Sequence, residues 1–120
     1  MTRKLQGKYA LSKADNHQFN PDSVGIFSNW VTVGESYELP DECLTENKIK
    51  NLYVAGRNIS TYDDEVWDVV RSIPVCAVSG EAAGLLAARF SNTNDIDIAL
   101  LRECFRKRNV IIHLNELGIK

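Results

Sequence analysis

The sequence predicts a small fold that mixes strands and helices, of the α+β or α/β class, and three stretches carry that prediction. Residues 24–33 are rich in β-branched and aromatic side chains. Residues 52–55 form a short apolar run stopped by Gly56 and Arg57, and a helical pattern led by Pro74 extends to Arg89. A strand, a glycine turn and a small-residue helix in that order bring backbone close to a flat or phosphorylated ligand.

The 120 residues, 44% hydrophobic and 25% charged, suit one ordinary globular domain with a single core. A net charge of -2 offers no electrostatic attraction for nucleic acid or an anionic membrane, so neither is expected as a partner. The basic cluster Arg102, Arg106, Lys107 and Arg108 falls where a helix should end, which is reason enough for it. Cys43, Cys76 and Cys104 are spaced far more widely than any CxxC pair, which argues against a disulfide framework and against a metal site. No apolar run approaches the roughly 20 residues that cross a bilayer, and no hydrophobic signal segment opens the chain, so the expected location is the cytoplasm.

Taken in order, residues 3–11 alternate loosely, with Leu5, Tyr9 and Leu11 on one side, and predict a strand. Ser12 and Asp15 have the spacing of a capping box, for a short helix or a surface turn. Residues 24–33 predict the best strand of the first half, and residues 37–39 its return, with Pro40 confining that return to an edge or an end. The run at 52–55 is too short and too apolar for an exposed helix and predicts a buried strand. Residues 58–70 read either as a loop or as a helix opened by Asp63, Asp64 and Glu65.

Proline suits the first turn of the next helix, where a backbone N–H would lack a partner anyway. Val75, Val78, Ala82, Leu85 and Leu86 form its core-facing stripe, and Gly80, Ala83, Gly84 and Ala87 a second face of small residues. Each interior glycine costs roughly 1 kcal/mol relative to alanine, so close packing is the expected reason for two of them. Residues 91–94 break the pattern, Asp95 or Asp97 caps a last helix with Leu101, Cys104 and Phe105 inward, and residues 110–114 add a final strand or pack irregularly.

Two places could bind. The start of the proline-led helix offers the amides of Val75 and Cys76, with the charge of Arg71 just upstream, an arrangement suited to an electron-rich partner. The plain alternative is a capped helix with Arg71 in a surface ion pair. Gly56, Arg57 and Asn58 lie at the carboxyl end of a predicted strand, where ligands of open α/β sheets collect. Asp63, Asp64 and Glu65 read more simply as a solvated helix start than as acid–base machinery, and His17 and His113 have no partner that sequence identifies. Neither GxGxxG nor GxxxxGK[ST] occurs, so the chain lacks the usual means of holding a dinucleotide pyrophosphate.

Several short motifs stand together in order: Gly7, Tyr9 and Leu11; PDSVG at 21–25; YELP at 37–40; NLYVAGR at 51–57 with Ile59 and Ser60; Arg71 with Pro74 and Cys76; and GEAAG at 80–84. In that register the chain resembles the C-terminal part of the FAD-dependent oxidoreductase family. The resemblance implies a fragment of a two-domain flavoprotein whose N-terminal dinucleotide-binding half lies outside the chain. Residues 1–49 would be a β-rich substrate-side segment, 50–91 a returning strand and helix that complete the FAD domain, and 92–120 a C-terminal helix and tail. It further implies FAD as cofactor, with Gly56 and Arg57 near the ribityl or pyrophosphate portion and Arg71, Pro74, Val75 and Cys76 toward the pyrimidine edge of the ring.

Where the family commonly has Asp-x-His this chain has NWVTV at 29–33, and after its proline come Asp41 and Glu42 rather than Tyr-Arg, so no catalytic residue is assigned. The implied partner is the missing half, or a second copy through an uncovered strand, and the chain alone is expected to be inactive. The alternative from another functional class is a free-standing small α/β interaction domain without redox activity.

Overall fold

The computed structural model describes residues 3–90 and 96–118. They form a small α+β fold of two antiparallel strands and three helices: β1 (Ser23–Ser28), β2 (Ser36–Pro40), α1 (Asp64–Val70), α2 (Ile73–Phe90) and α3 (Ile98–Lys107). Short 3-10 turns occupy Lys13–Asp15, Asp41–Cys43, Gly56–Asn58 and Leu114–Leu117.

β1 and β2 pair with Phe27 opposite Tyr37 and Ser28 opposite Ser36, with an irregularity between Ser23 and Ile26. The Phe27 and Tyr37 rings stack with centroids 5.3 Å apart, the kind of cross-strand pair that fixes a hairpin's register. β1 is shorter than the predicted 24–33 because Asn29 turns the chain: its Oδ1 accepts from the N–H groups of Val31 and Thr32 at 2.8 and 3.1 Å. Pro40 closes β2, an end position as expected.

Of the two readings of 58–70, the helix is the one that forms, with Asp63 as its cap accepting from the Val66 N–H at 2.8 Å. α2 starts one residue before Pro74, and Val75, Ala82, Leu86 and Phe90 bury into the core with Val78 and Leu85 packed at its margin. α2 closes on the sheet at Gly25, where a Cβ would stand 2.2 Å from Val78 Cγ1, so the close approach uses a glycine of the strand. Gly80 and Gly84 point the other way, and a Cβ on either would meet no atom within 4 Å. The small-residue face of α2 is therefore open, not packed as the sequence predicted. With 18 residues, a mean hydropathy of 1.3 and 28% of the window buried, α2 is also long and apolar enough, by length and composition alone, to cross a bilayer.

Two predicted strands do not form, and of the two readings of 110–114 the irregular one holds. Residues 3–11 are laced to irregular segments (Leu5 N–H to Asn58 O at 2.8 Å, Lys8 N–H to Thr45 O at 3.0 Å) and make a single parallel bridge, Leu11 with Thr61. Residues 52–55 are half-buried and end in extended backbone at Ala55 (φ -146°, ψ 163°), but among the described residues their one backbone bond to a neighbour is Val54 N–H to Leu44 O at 3.0 Å. No described strand lies beside them, so the parallel sheet of the α/β option is not formed by the described residues. Residues 110–114 pack irregularly, with Ile112 and Leu114 buried, and the chain turns at Leu114.

Asp97 caps α3, accepting from Ala99 and Leu100, and Leu101 and Phe105 are buried while Cys104 is only partly so. The break expected at 91–94 and the alternative cap Asp95 lie outside the described residues. Arg108 pairs with Glu81 at 2.8 Å, fastening the end of α3 to the middle of α2. The C-terminal turn is held by Glu38 of β2, which is buried and accepts from Asn20 N–H at 2.7 Å and Leu114 N–H at 2.8 Å and lies 3.0 Å from His113 Nδ1.

Candidate functional site

The two places singled out in the sequence are neighbours in space. Gly56 ends the extended segment with φ 64°, a conformation that L side chains rarely adopt. Its N–H donates to Ser79 Oγ at 2.8 Å, and the Ser79 hydroxyl donates to the Val75 carbonyl at 2.7 Å. A Cβ at position 56 would come within 3.1 Å of Cys76 Sγ. The backbone of the 56–58 turn thus rests directly on the first turn of α2, and any side chain at position 56 would press on Cys76 and strain the backbone.

A second connection runs through aromatic side chains. Trp67 Nε1 donates to the Arg57 carbonyl at 3.2 Å, and Trp30 Nε1 donates to the Asp68 carbonyl at 3.1 Å. The Arg71 guanidinium lies 5.9 Å from the centre of the Trp30 ring and 5.7 Å from that of Trp67, and its Nε pairs with Asp68 Oδ1 at 3.2 Å. Such contacts hold a long cationic side chain over a defined spot while its charge stays available on the open side. The surface ion pair of the plain alternative does exist, but it is one of several restraints on Arg71.

The start of α2 is open to solvent. Ile73 is 85% exposed and Pro74 is exposed, whereas Val75 is buried. The Cys76 N–H, expected as a free donor, is taken by the Ser72 carbonyl at 3.0 Å. The proline nitrogen carries no hydrogen. Among the described residues no acceptor faces the Val75 N–H. The Val75 N–H is buried with its residue, so what the open start of α2 offers is the positive end of the helix dipole together with the Arg71 charge, both of which favour negative charge there.

Arg57 and Asn58, in the turn that rests on α2, are exposed. The acidic run has ordinary duties, as its simpler reading had it: Asp63 caps α1 and Glu65 pairs with Lys13. His17 contacts the Gly34 carbonyl at 2.6 Å and His113 contacts Glu38. Sequence reasoning missed Ser79, Trp67 and Trp30. A serine amid the apolar pattern of α2 was a usable signal for the first. Nothing local marks Trp30, whose partner Asp68 is 38 residues away, whereas Trp67 stands four residues before Arg71, a spacing that a helix over this stretch brings together.

A family model described as FAD dependent oxidoreductase matches residues 2–105. The chain belongs to that family. No curated protein and no solved structure matches it.

Proposed function

We propose that this chain is the C-terminal part of an FAD-dependent oxidoreductase of the cytoplasm and that it completes, without by itself forming, the flavin site. In this reading residues 1–49 cover the substrate side, 50–91 complete the FAD domain and 92–120 brace them. The observation that carries the proposal is the contact of the Gly56 turn with the solvent-open start of α2, beside a guanidinium held in place by two indoles.

The residues suit one end of FAD and not the other. The helix dipole and Arg71 match an edge of the flavin on which negative charge accumulates, while Val75 anchors the helix start in the core. Gly56 is buried and its N–H is taken by Ser79, so it is the exposed Arg57 and Asn58 of the same turn that stand at hand for a flat or phosphorylated group. Pro74 leaves the approach free of a competing N–H, and Cys76 backs the Gly56 turn. No glycine-rich phosphate loop is present in the sequence, so the pyrophosphate must be held by other polypeptide. The bound flavin supplies two-electron transfer between a substrate and an acceptor. The residues of this chain bind and orient its ring, and Arg71 offsets charge beside it.

The half-buried segment 52–55, without a strand on either side, and the open small-residue face of α2 supply matching surfaces for the missing half. The test is co-expression with the dinucleotide-binding half of a family member. The two halves are expected to co-purify with visible flavin absorbance, and Arg71→Gln should weaken FAD retention by about tenfold. Failure of the halves to associate, or an associated pair whose flavin retention ignores Arg71→Gln, would overturn the reading.

A further inference from the structure

A cavity of about 230 Å³ lies between the hairpin loop that follows β1 and the face of α1. Its floor is apolar, made by Tyr37, Val66 and Val69, with the exposed Val31 at its mouth. The volume is below the roughly 300–1,000 Å³ of sites for drug-sized ligands, so its occupant is small.

Three carboxylates line it, and they are not equivalent. Glu65 pairs with Lys13, and Asp68 pairs with Arg71. Glu35 has no cation within ion-pair distance among the described residues. Its Oε2 accepts from Asn29 Nδ2 at 2.7 Å and from the Tyr37 hydroxyl at 3.2 Å, which fixes the carboxylate and leaves Oε1 for another donor. Burial and the adjoining Glu35 charge push the Tyr37 phenol up, so it stays a donor. The loop is built before any ligand arrives: Asn29 N–H bonds the Glu35 carbonyl at 2.9 Å, and Trp30 ties the loop to α1. Such preorganisation lowers the entropic cost of binding.

We propose that this cavity binds a small-molecule amine with an apolar body, the body seated on Tyr37, Val66 and Val69 and the ammonium on the Glu35 carboxylate. Lys13 also lines the cavity but is engaged by Glu65, so a neutral ligand would leave Glu35 without an ion-pair partner, and an anion would meet three carboxylates against that one lining cation. The inference stands apart from the flavin reading, because described residues of this chain alone build the cavity.

The experiment titrates the purified chain with phenethylamine, phenethyl alcohol and phenylacetate and follows backbone amide chemical shifts. Phenethylamine is expected to bind at least about tenfold more tightly than the alcohol, with phenylacetate weakest and the shifts centred on Val31, Thr32, Val66 and Val69. Glu35→Gln keeps an acceptor for Asn29 and Tyr37 and should abolish the preference for the amine while weak alcohol binding persists. Val31→Lys, at a position 61% exposed and thus tolerant of change, should expel the amine by placing a cation at the mouth. Equal binding of amine and alcohol, a preference that survives both substitutions, shifts that map elsewhere, or tighter binding of a lysine amide than of phenethylamine would each overturn the proposal.

Discussion

Gly56 shows how much one residue can decide. Its left-handed backbone and the 3.1 Å reach from a notional Cβ to Cys76 Sγ together bring the 56–58 turn onto α2. Gly56→Ala should therefore destabilise the chain by about 1–3 kcal/mol, read as a lower urea midpoint. Adding Cys76→Ala should recover only the steric part, since the backbone cost stays. Asp41 is a different case. Burial, reinforced by the charges of Asp22 and Glu42, raises its pKa from 3.8 to about 6. The folded state then binds this proton more tightly than the unfolded chain does. The stabilisation is complete below about pH 4 and is lost as pH rises through about 6, a change on the order of 2–3 kcal/mol. Asp41→Asn should flatten that part of the stability–pH curve and make the chain more stable at neutral pH. Denaturant unfolding at several pH values checks both expectations.

At the scale of elements, what the sequence disclosed were those parts whose cause is local. Asp63 caps α1, Asp97 caps α3 and Pro74 stands in the first turn of α2, each because a backbone group close by in the chain needs or lacks a partner. Strands depend on what lies beside them. Residues 3–11 and 52–55 have strand composition, but the neighbours that would complete a ladder are irregular or not among the described residues. The candidate site is similar: Gly56, Arg57, Arg71, Pro74, Val75 and Cys76 are nominated from local pattern, whereas Trp30, 41 positions before the Arg71 it touches, cannot be. The helix glycines show the limit from the other side, because a close contact was expected at Gly80 and Gly84 and occurs at Gly25. Gly80→Ala and Gly84→Ala should each raise the stability of the chain by about 0.5–1 kcal/mol, as nothing stands where the new methyl goes. In the assembled pair of halves the same changes should weaken association if that face is covered there. Thermal melts of the chain, set against co-purification yields, separate the two effects.

The described residues join a well-filled interior to an exterior with open apolar faces. Leu11, Tyr37, Leu39, Leu44, Ile59, Leu86, Leu101, Phe105 and Ile112 are all nearly inaccessible to solvent, and Glu38 locks the C-terminal turn to the hairpin. Outside that core, Ile73 and the glycine-bearing face of α2 are open, and 52–55 presents unpaired backbone. Chains that expose strand edges and apolar faces tend to pair with themselves. Sedimentation at rising concentration should reveal reversible self-association, suppressed when a matching half is added. A strict monomer at high concentration would count against both the exposed edge and its proposed covering.

The chain has two tryptophans, and both lie within 6 Å of the same guanidinium. Its intrinsic emission is therefore a local signal from the approach to α2, not an average over the fold. A yellow ring arriving there would accept that excitation, so quenching of indole fluorescence would register occupancy without any label.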